Sequence, residues 1–164
     1  MHKPTDEHWT VVKRILRYLK FSIDFGLIIR PNSSTQLSIY SNADWVGCPD
    51  DRKSTFGYGI YFGLNLIFWS FTKQPTVTHS STEAEYRVIA HAIAESLWLQ
   101  SPLHELGIFL STRPVLWCDN IGSTYLIANP VFHARTKHVE INYHFVKEKV
   151  NQKSLEVHFI SRKD

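Results

Sequence analysis

The stretch from residue 36 to residue 99 constrains the fold more than any other part of the chain. Residues 36–40 alternate polar and apolar, with Leu37 and Ile39 on one side, as a half-buried strand does. A polar turn, Asp50-Asp51-Arg52-Lys53-Ser54, separates them from a second strand-like run at 56–62, and a third follows at 66–71. Three strands with short links read as an antiparallel meander. Ser80-Ser81-Thr82-Glu83 then opens a long helix, with Ser80 and Glu83 at the spacing of a capping box. Ala84, Val88, Ala92 and Leu99 lie along its buried side, and Ile89, Ile93 and Leu97 widen the stripe. A meander that feeds a helical crossover calls for a mixed sheet with helices packed on it.

The flanking segments extend this pattern. Val115-Leu116-Trp117-Cys118 is short and wholly apolar, as an interior strand covered on both faces is. Residues 121–128 read as a short helix stopped by Pro130, and residues 136–150 as another, with Val139, Tyr143, Val146 and Val150 on one face. Residues 155–160 form a last strand. At the other end, Thr5 or Asp6 caps a helix in which Trp9, Val12, Ile15, Leu16 and Leu19 recur at three- and four-residue steps. Lys13, Arg14, Arg17 and Lys20 give it a basic flank, either a solvated face or one that meets phosphates. Residues 21–29 are apolar and lean towards strand. Arg30-Pro31-Asn32-Ser33-Ser34 then breaks the chain at its one internal boundary, dividing 1–34 from 35–164. The expected order is a helix followed by β-β-β-α-β-α-α-β.

A length of 164 residues fits about one domain and needs no staples to fold. A net charge of +3 permits contact with nucleic acid without demanding it. Cys48 and Cys118 match no disulfide or zinc spacing, and no apolar run approaches the roughly 20 residues needed to span a bilayer. The first residues lack the apolar stretch of a secretion signal. The expected setting is therefore reducing and intracellular, with no membrane partner.

Three acids stand where a sheet of this kind ends its strands. Asp44 follows the first strand, Asp119 follows the Val-Leu-Trp-Cys run, and Glu85 lies in the first turns of the long helix between Ala84 and Tyr86. Converging carboxylates raise one another's pKa unless a cation neutralises them. Magnesium suits such a site, since it takes carboxylate oxygens plus waters, and a pair of ions about 4 Å apart can act on a phosphodiester. Each acid also has a structural reading. Asp119-Asn120 can cap the next helix, Asp44 can serve a turn, and Glu85 is favoured by the helix dipole.

Several further motifs then bear on the choice. They are Tyr40-Ser41-Asn42-Ala43-Asp44-Trp45-Val46-Gly47-Cys48, Asp51-Arg52-Lys53-Ser54-Thr55, Lys73-Gln74-Pro75-Thr76-Val77, Ser80-Ser81-Thr82-Glu83-Ala84-Glu85-Tyr86, Cys118-Asp119-Asn120 and Arg135-Thr136-Lys137-His138-Val139-Glu140-Ile141. In this order they resemble the ribonuclease H domain of copia-type retrotransposons. His8-Trp9 and the run from Val12 to Lys20 resemble the end of the reverse transcriptase that precedes that domain. The resemblance implies an α/β, ribonuclease H-like five-stranded mixed sheet with helices on its faces, behind one N-terminal helix. It implies an endonuclease that cuts the RNA strand of an RNA–DNA hybrid with two Mg2+ ions, and a parent reverse transcriptase as a partner. Residues 1–34 become a reverse-transcriptase remnant and 35–164 the ribonuclease H-like domain. Glu85 and Asp119 fall on two metal-holding acids. Ser81, Thr82, Asn120 and Lys137 fall on positions that meet nucleic acid; short polar groups in the minor groove can read a 2′-hydroxyl.

Two departures stand out. Asn42 occupies the position of the family's first-strand Asp, which bridges the metals. Asn has the shape of Asp without the charge, and it offers one acceptor oxygen. Asp44, two residues on and on the same face of a strand, is the alternative ligand. The family also continues into a final helix bearing a fourth acid, and Asp164 lies too early to be that residue. The expectation is a truncated domain with an impaired site. Two other readings remain: a non-catalytic nucleic-acid-binding module, with salt-sensitive contacts from the first helix, or a functionless transposon relic.

Overall fold

In the computed structural model of the chain, residues 3–47, 52–128 and 140–161 are described. The elements run α1 (Asp6–Phe21), β1 (Leu37–Asp44), β2 (Thr55–Phe62), β3 (Asn65–Lys73), α2 (Ser81–Glu105), β4 (Val115–Cys118), α3 (Ile121–Ala128), α4 (Glu140–Asn151) and β5 (Glu156–Phe159). This is the expected order. The five strands form one sheet, β3-β2-β1-β4-β5. β1 pairs antiparallel with β2, and β2 with β3, whereas β1–β4 and β4–β5 are parallel. The meander and the crossover together produce the mixed sheet, because only a crossover can return the chain parallel to β1.

β1, β2 and β3 extend beyond their sequence patterns where pairing continues, β4 matches its pattern, and β5 is shorter than the expected 155–160. β1 runs on to Asp44 because Asn42 pairs with Gly57 and Asp44 with Thr55. Its residues alternate along that length: Leu37, Ile39, Ser41 and Ala43 are buried, while Tyr40, Asn42 and Asp44 are exposed. The buried side meets α2. There Ile39, Ile60 and Leu116 pack with Ile89, Ala92 and Ile93, and with Tyr143 and Val146 of α4. Tyr86 stacks on Tyr143 at 5.8 Å between ring centres, and its hydroxyl donates to the Tyr143 carbonyl at 3.4 Å. Burial pushes the Tyr86 phenol far above its usual range.

The start of α2 departs from the expected capping box in one partner. Ser80 caps the helix, its hydroxyl accepting from the Glu83 amide at 3.1 Å. Glu83 reaches one residue further back than expected, taking the His79 amide at 2.8 Å with one oxygen and Arg87 at 2.8 Å with the other. Arg87 also donates to the Thr76 hydroxyl.

The region before β1 differs from the sequence pattern. α1 forms as its periodicity predicts, with Thr5 as N-cap, but none of its residues is buried. Residues 21–29 form no strand; Ile23, Phe25 and Ile28 are exposed. A strand needs a neighbour for its amides. Just beyond the segment, the Asn65 side chain exchanges two 2.8 Å hydrogen bonds with the backbone of Arg30. Among the described residues no helix is long and apolar enough to cross a membrane.

Candidate active site

Small side chains place Glu85. Ala43, Phe56, Ala84 and Val88 form a separate buried cluster where the start of α2 crosses the end of β1. Two alanines at the contact let helix and strand approach closely. Glu85 follows Ala84 and is 3% exposed. Its Oε1 accepts from the Ala43 amide at 2.8 Å. A carboxylate is thus driven into the seam between β1 and α2, where an apolar residue would be expected on burial grounds. Glu83, two residues earlier and also buried, spends its oxygens on His79 and Arg87. The two acids of the Glu-Ala-Glu run therefore differ in role: Glu83 secures the helix start and Glu85 reaches the strand.

Asp119 is half-buried and follows β4, whose Cys118 pairs with Ser41 of β1. Cys118 reports on both acids. Its thiol is pushed up to about 11, first by burial and then by the negative charges of Glu85 and Asp119, against a lowering hydrogen bond from the Asn120 backbone. Glu85 and Asp119 thus act together on one buried atom at the parallel β1–β4 seam.

The first-strand candidates lie elsewhere. Asn42 and Asp44 point to the opposite face of the sheet from Ala43. There they border a shallow groove with Tyr40, Tyr61, Trp69 and Phe71. The Asp44 carboxylate folds back over Gly47, where a Cβ would collide with it. Among the described residues no three acidic, histidine or cysteine side chains meet as a metal-holding group. The donor chemistry at the seam fits one hard cation, which Mg2+ can be while keeping several waters and one or two carboxylates. Among the described residues no third carboxylate joins Glu85 and Asp119 there.

Of the positions that the resemblance assigns to nucleic acid, Ser81, Thr82 and Asn120 lie at the adjoining starts of α2 and α3. Ser81 is exposed and Thr82 half-buried at the start of α2. The Thr82 carbonyl accepts from the Ser123 hydroxyl at 3.4 Å, which ties the first turn of α2 to that of α3. Asn120 caps α3 with its side-chain oxygen on the Ser123 amide at 3.0 Å. Two helix starts, with partial positive charge, therefore lie side by side next to Thr82. Lys137 lies outside the described residues. Sequence reasoning did not find the buried polar residues Ser54, Gln74 and Thr78 behind this end of the sheet. Ser54 and Gln74 fall within the motifs of the resemblance, but nothing in the local pattern shows that they and Thr78 are buried.

A mixed sheet in this strand order, with an acid buried between its first strand and crossing helix, defines a ribonuclease H-like domain. The solved structures agree. LC11-RNase H1 in complex with an RNA/DNA hybrid superposes with a TM-score of 0.58 over 78% of this chain and 87% of that one, at 11% identity. The foamy viral protease-reverse transcriptase in complex with an RNA/DNA hybrid gives 0.57 over 84% of this chain and 19% of that one, at 10% identity. No family model matches the chain. Its sequence is 49% identical, over all 164 residues, to the retrovirus-related Pol polyproteins from transposons RE2 and RE1 of Arabidopsis thaliana. It is 38% identical over 161 residues to that from transposon TNT 1-94 of Nicotiana tabacum, covering 98% of this chain. Over its whole length the chain is thus similar to one segment of the retrovirus-related Pol polyproteins of transposons, and its fold is ribonuclease H-like. It spans 11% of the length of the RE2 and RE1 relatives and 12% of the TNT 1-94 relative.

Proposed function

We propose that the chain engages RNA–DNA hybrid and carries a hydrolytic centre for the RNA strand, built on Glu85 and Asp119 and held at low activity by Asn42. The buried Glu85 carboxylate on the Ala43 amide is the observation that carries this reading. Burying a carboxylate in a domain core is costly unless something draws on its charge, and Asp119 stands at the end of β4, the parallel neighbour of β1. A divalent cation held there would polarise a phosphodiester and lower the pKa of its attacking water. The side chains supply the rest. Glu85 and Asp119 give oxygen donors, Ser81 and Thr82 present hydroxyls to the backbone and minor groove, and the paired starts of α2 and α3 favour a phosphate. Asn42 withholds the charge that a bridged pair of Mg2+ ions would need.

Cleavage of a labelled hybrid with Mg2+ tests the reading, using the chain as given, Asn42→Asp and Glu85→Gln. The expected order is Asn42→Asp well above the native chain, by about a hundredfold or about 2.7 kcal/mol of barrier, with Glu85→Gln silent. Equal rates for the native chain and Asn42→Asp would remove position 42 from the centre. Silence from all three, with the hybrid still bound, would leave a binding module.

A further inference from the structure

We propose that Gln74 is a positioning residue for Glu85, a step that rests on the reading of Glu85 as a metal-holding acid. Gln74 follows β3 directly and is 1% exposed. Its Nε2 donates to the Ala84 carbonyl at 3.2 Å. That carbonyl belongs to the peptide unit joining Ala84 to Glu85. A carbonyl inside an α-helix already accepts the amide four residues on, and its second lone pair takes the Gln74 amide. Glu85 is thereby fixed at two points: its carboxylate on β1 through Ala43, and its own peptide on Gln74.

Gln74 is itself braced against the end of β1. Its backbone amide donates to the Ser54 carbonyl at 2.8 Å. The Ser54 hydroxyl accepts from the Val46 amide at 3.3 Å and shares a hydrogen bond with the Thr78 hydroxyl at 2.9 Å. Ser54 and Thr78 are both buried. Val46, in the turn after β1, has φ of 58°, a left-handed conformation that costs a β-branched residue strain. The strut thus holds a strained turn after β1 on one side and the Glu85 peptide on the other.

Packing alone does not account for this residue. The Gln74 Oε1 is buried and has no hydrogen-bond partner among the described residues. A Met or Leu side chain would fill the same space without burying an unpaired acceptor. It would not hold the Ala84 carbonyl. Groups that orient a metal-holding side chain commonly matter nearly as much as that side chain.

The test uses the Asn42→Asp chain as parent and reads Mg2+ affinity by calorimetry beside the Mg2+ concentration for half-maximal hybrid cleavage. Gln74→Met is expected to weaken Mg2+ binding by roughly ten- to a hundredfold. Thr78→Val cuts the strut one hydrogen bond further out and is expected to weaken it less; it carries the test if Gln74→Met does not fold. Val146→Ala, in the core on α4, supplies the stability control, with a lower thermal midpoint and unchanged Mg2+ affinity. Strut variants that lose midpoint like Val146→Ala yet bind Mg2+ like the parent would overturn the positioning role alone. A parent that binds no Mg2+ would overturn the reading of Glu85 and the positioning role with it.

Discussion

The two sides of β1 are built to different standards. Leu37, Ile39, Ser41 and Ala43 face α2, where side chains are close-packed and Glu85 has a defined seat. Tyr40, Asn42 and Asp44 face a groove whose walls are exposed: Trp69 is 60% and Phe71 81% accessible. Tyr40 makes an edge-to-face contact there with Tyr61 at 5.6 Å. The position that the family fills with Asp lies on the looser side, while the partner acid Glu85 comes from the tighter one. The proposed centre would therefore draw on both sides of the strand. A change such as Asn at position 42 alters charge without disturbing the core, because the core lies on the other side of the strand. Fold and activity can separate at a single residue.

Adjacent residues on opposite sides test that contrast most strongly. Ile39 is fully buried and Tyr40 is 43% exposed. Ile39→Ala is expected to destabilise the domain by about 4 kcal/mol, and Tyr40→Ala by about 1 kcal/mol, as a half-exposed aromatic contact is worth. Urea unfolding of both variants decides the matter. Equal losses would show that the groove is packed in solution and that the two sides do not differ.

A smaller effect belongs to the tight side alone. The Cys118 thiol is raised from 9.0 to about 11, mainly by burial. A raised pKa in the folded state means that the unfolded chain ionises first. The contribution is fully present below pH 9 and is lost as pH rises towards 11, amounting to about 2 kcal/mol. Tyr86 adds a loss of the same sign at higher pH. Cys118→Ala is therefore expected to flatten the fall in thermal midpoint between pH 9 and pH 11 relative to the native chain. An unchanged slope would mean that the seam admits water and that Glu85 and Asp119 are better solvated than their placement indicates.

Much of the sheet was legible because it is a matter of period. Alternation in β1 buries Leu37 and Ile39 as its pattern promises, whereas β4 buries Leu116 and Cys118 but leaves Val115 and Trp117 half-buried, and the stripe of α2 is buried from Ala84 to Ile93 but only half-buried at Leu97 and Leu99. The same reasoning finds α1 but cannot say what covers it, since a stripe records a face and not its partner; Trp9 and Leu16 are both more than half exposed. Residues 21–29 carry a strand's composition without a strand's neighbour. At the candidate site, the motifs carry Glu85 and Asp119, but their company is tertiary. The strut from Val46 through Ser54 to Gln74 and Ala84 joins the turn after β1, the start of β2, the end of β3 and the start of α2. No local pattern encodes which buried polar groups will meet. The division of labour between Glu83 and Glu85 was also hidden, because it depends on which acid faces Arg87 and which faces the Ala43 amide.

The finest probe of the seam is Asp44, which the sequence offers as a replacement ligand for position 42. Its carboxylate lies over Gly47 on the exposed side of the turn after β1. Asp44→Asn is expected to change stability by less than about 0.5 kcal/mol, as exposed substitutions do, and to leave Mg2+ affinity of the Asn42→Asp chain unaltered. Gly47→Ala sharpens the comparison, because the added methyl must displace the carboxylate from its seat. If Asp44 is idle, that displacement costs a little stability and no Mg2+ binding. If either variant weakens Mg2+ as Glu85→Gln does, Asp44 swings from the turn to the cation. The native chain then keeps a third carboxylate after all, two residues beyond the family's position.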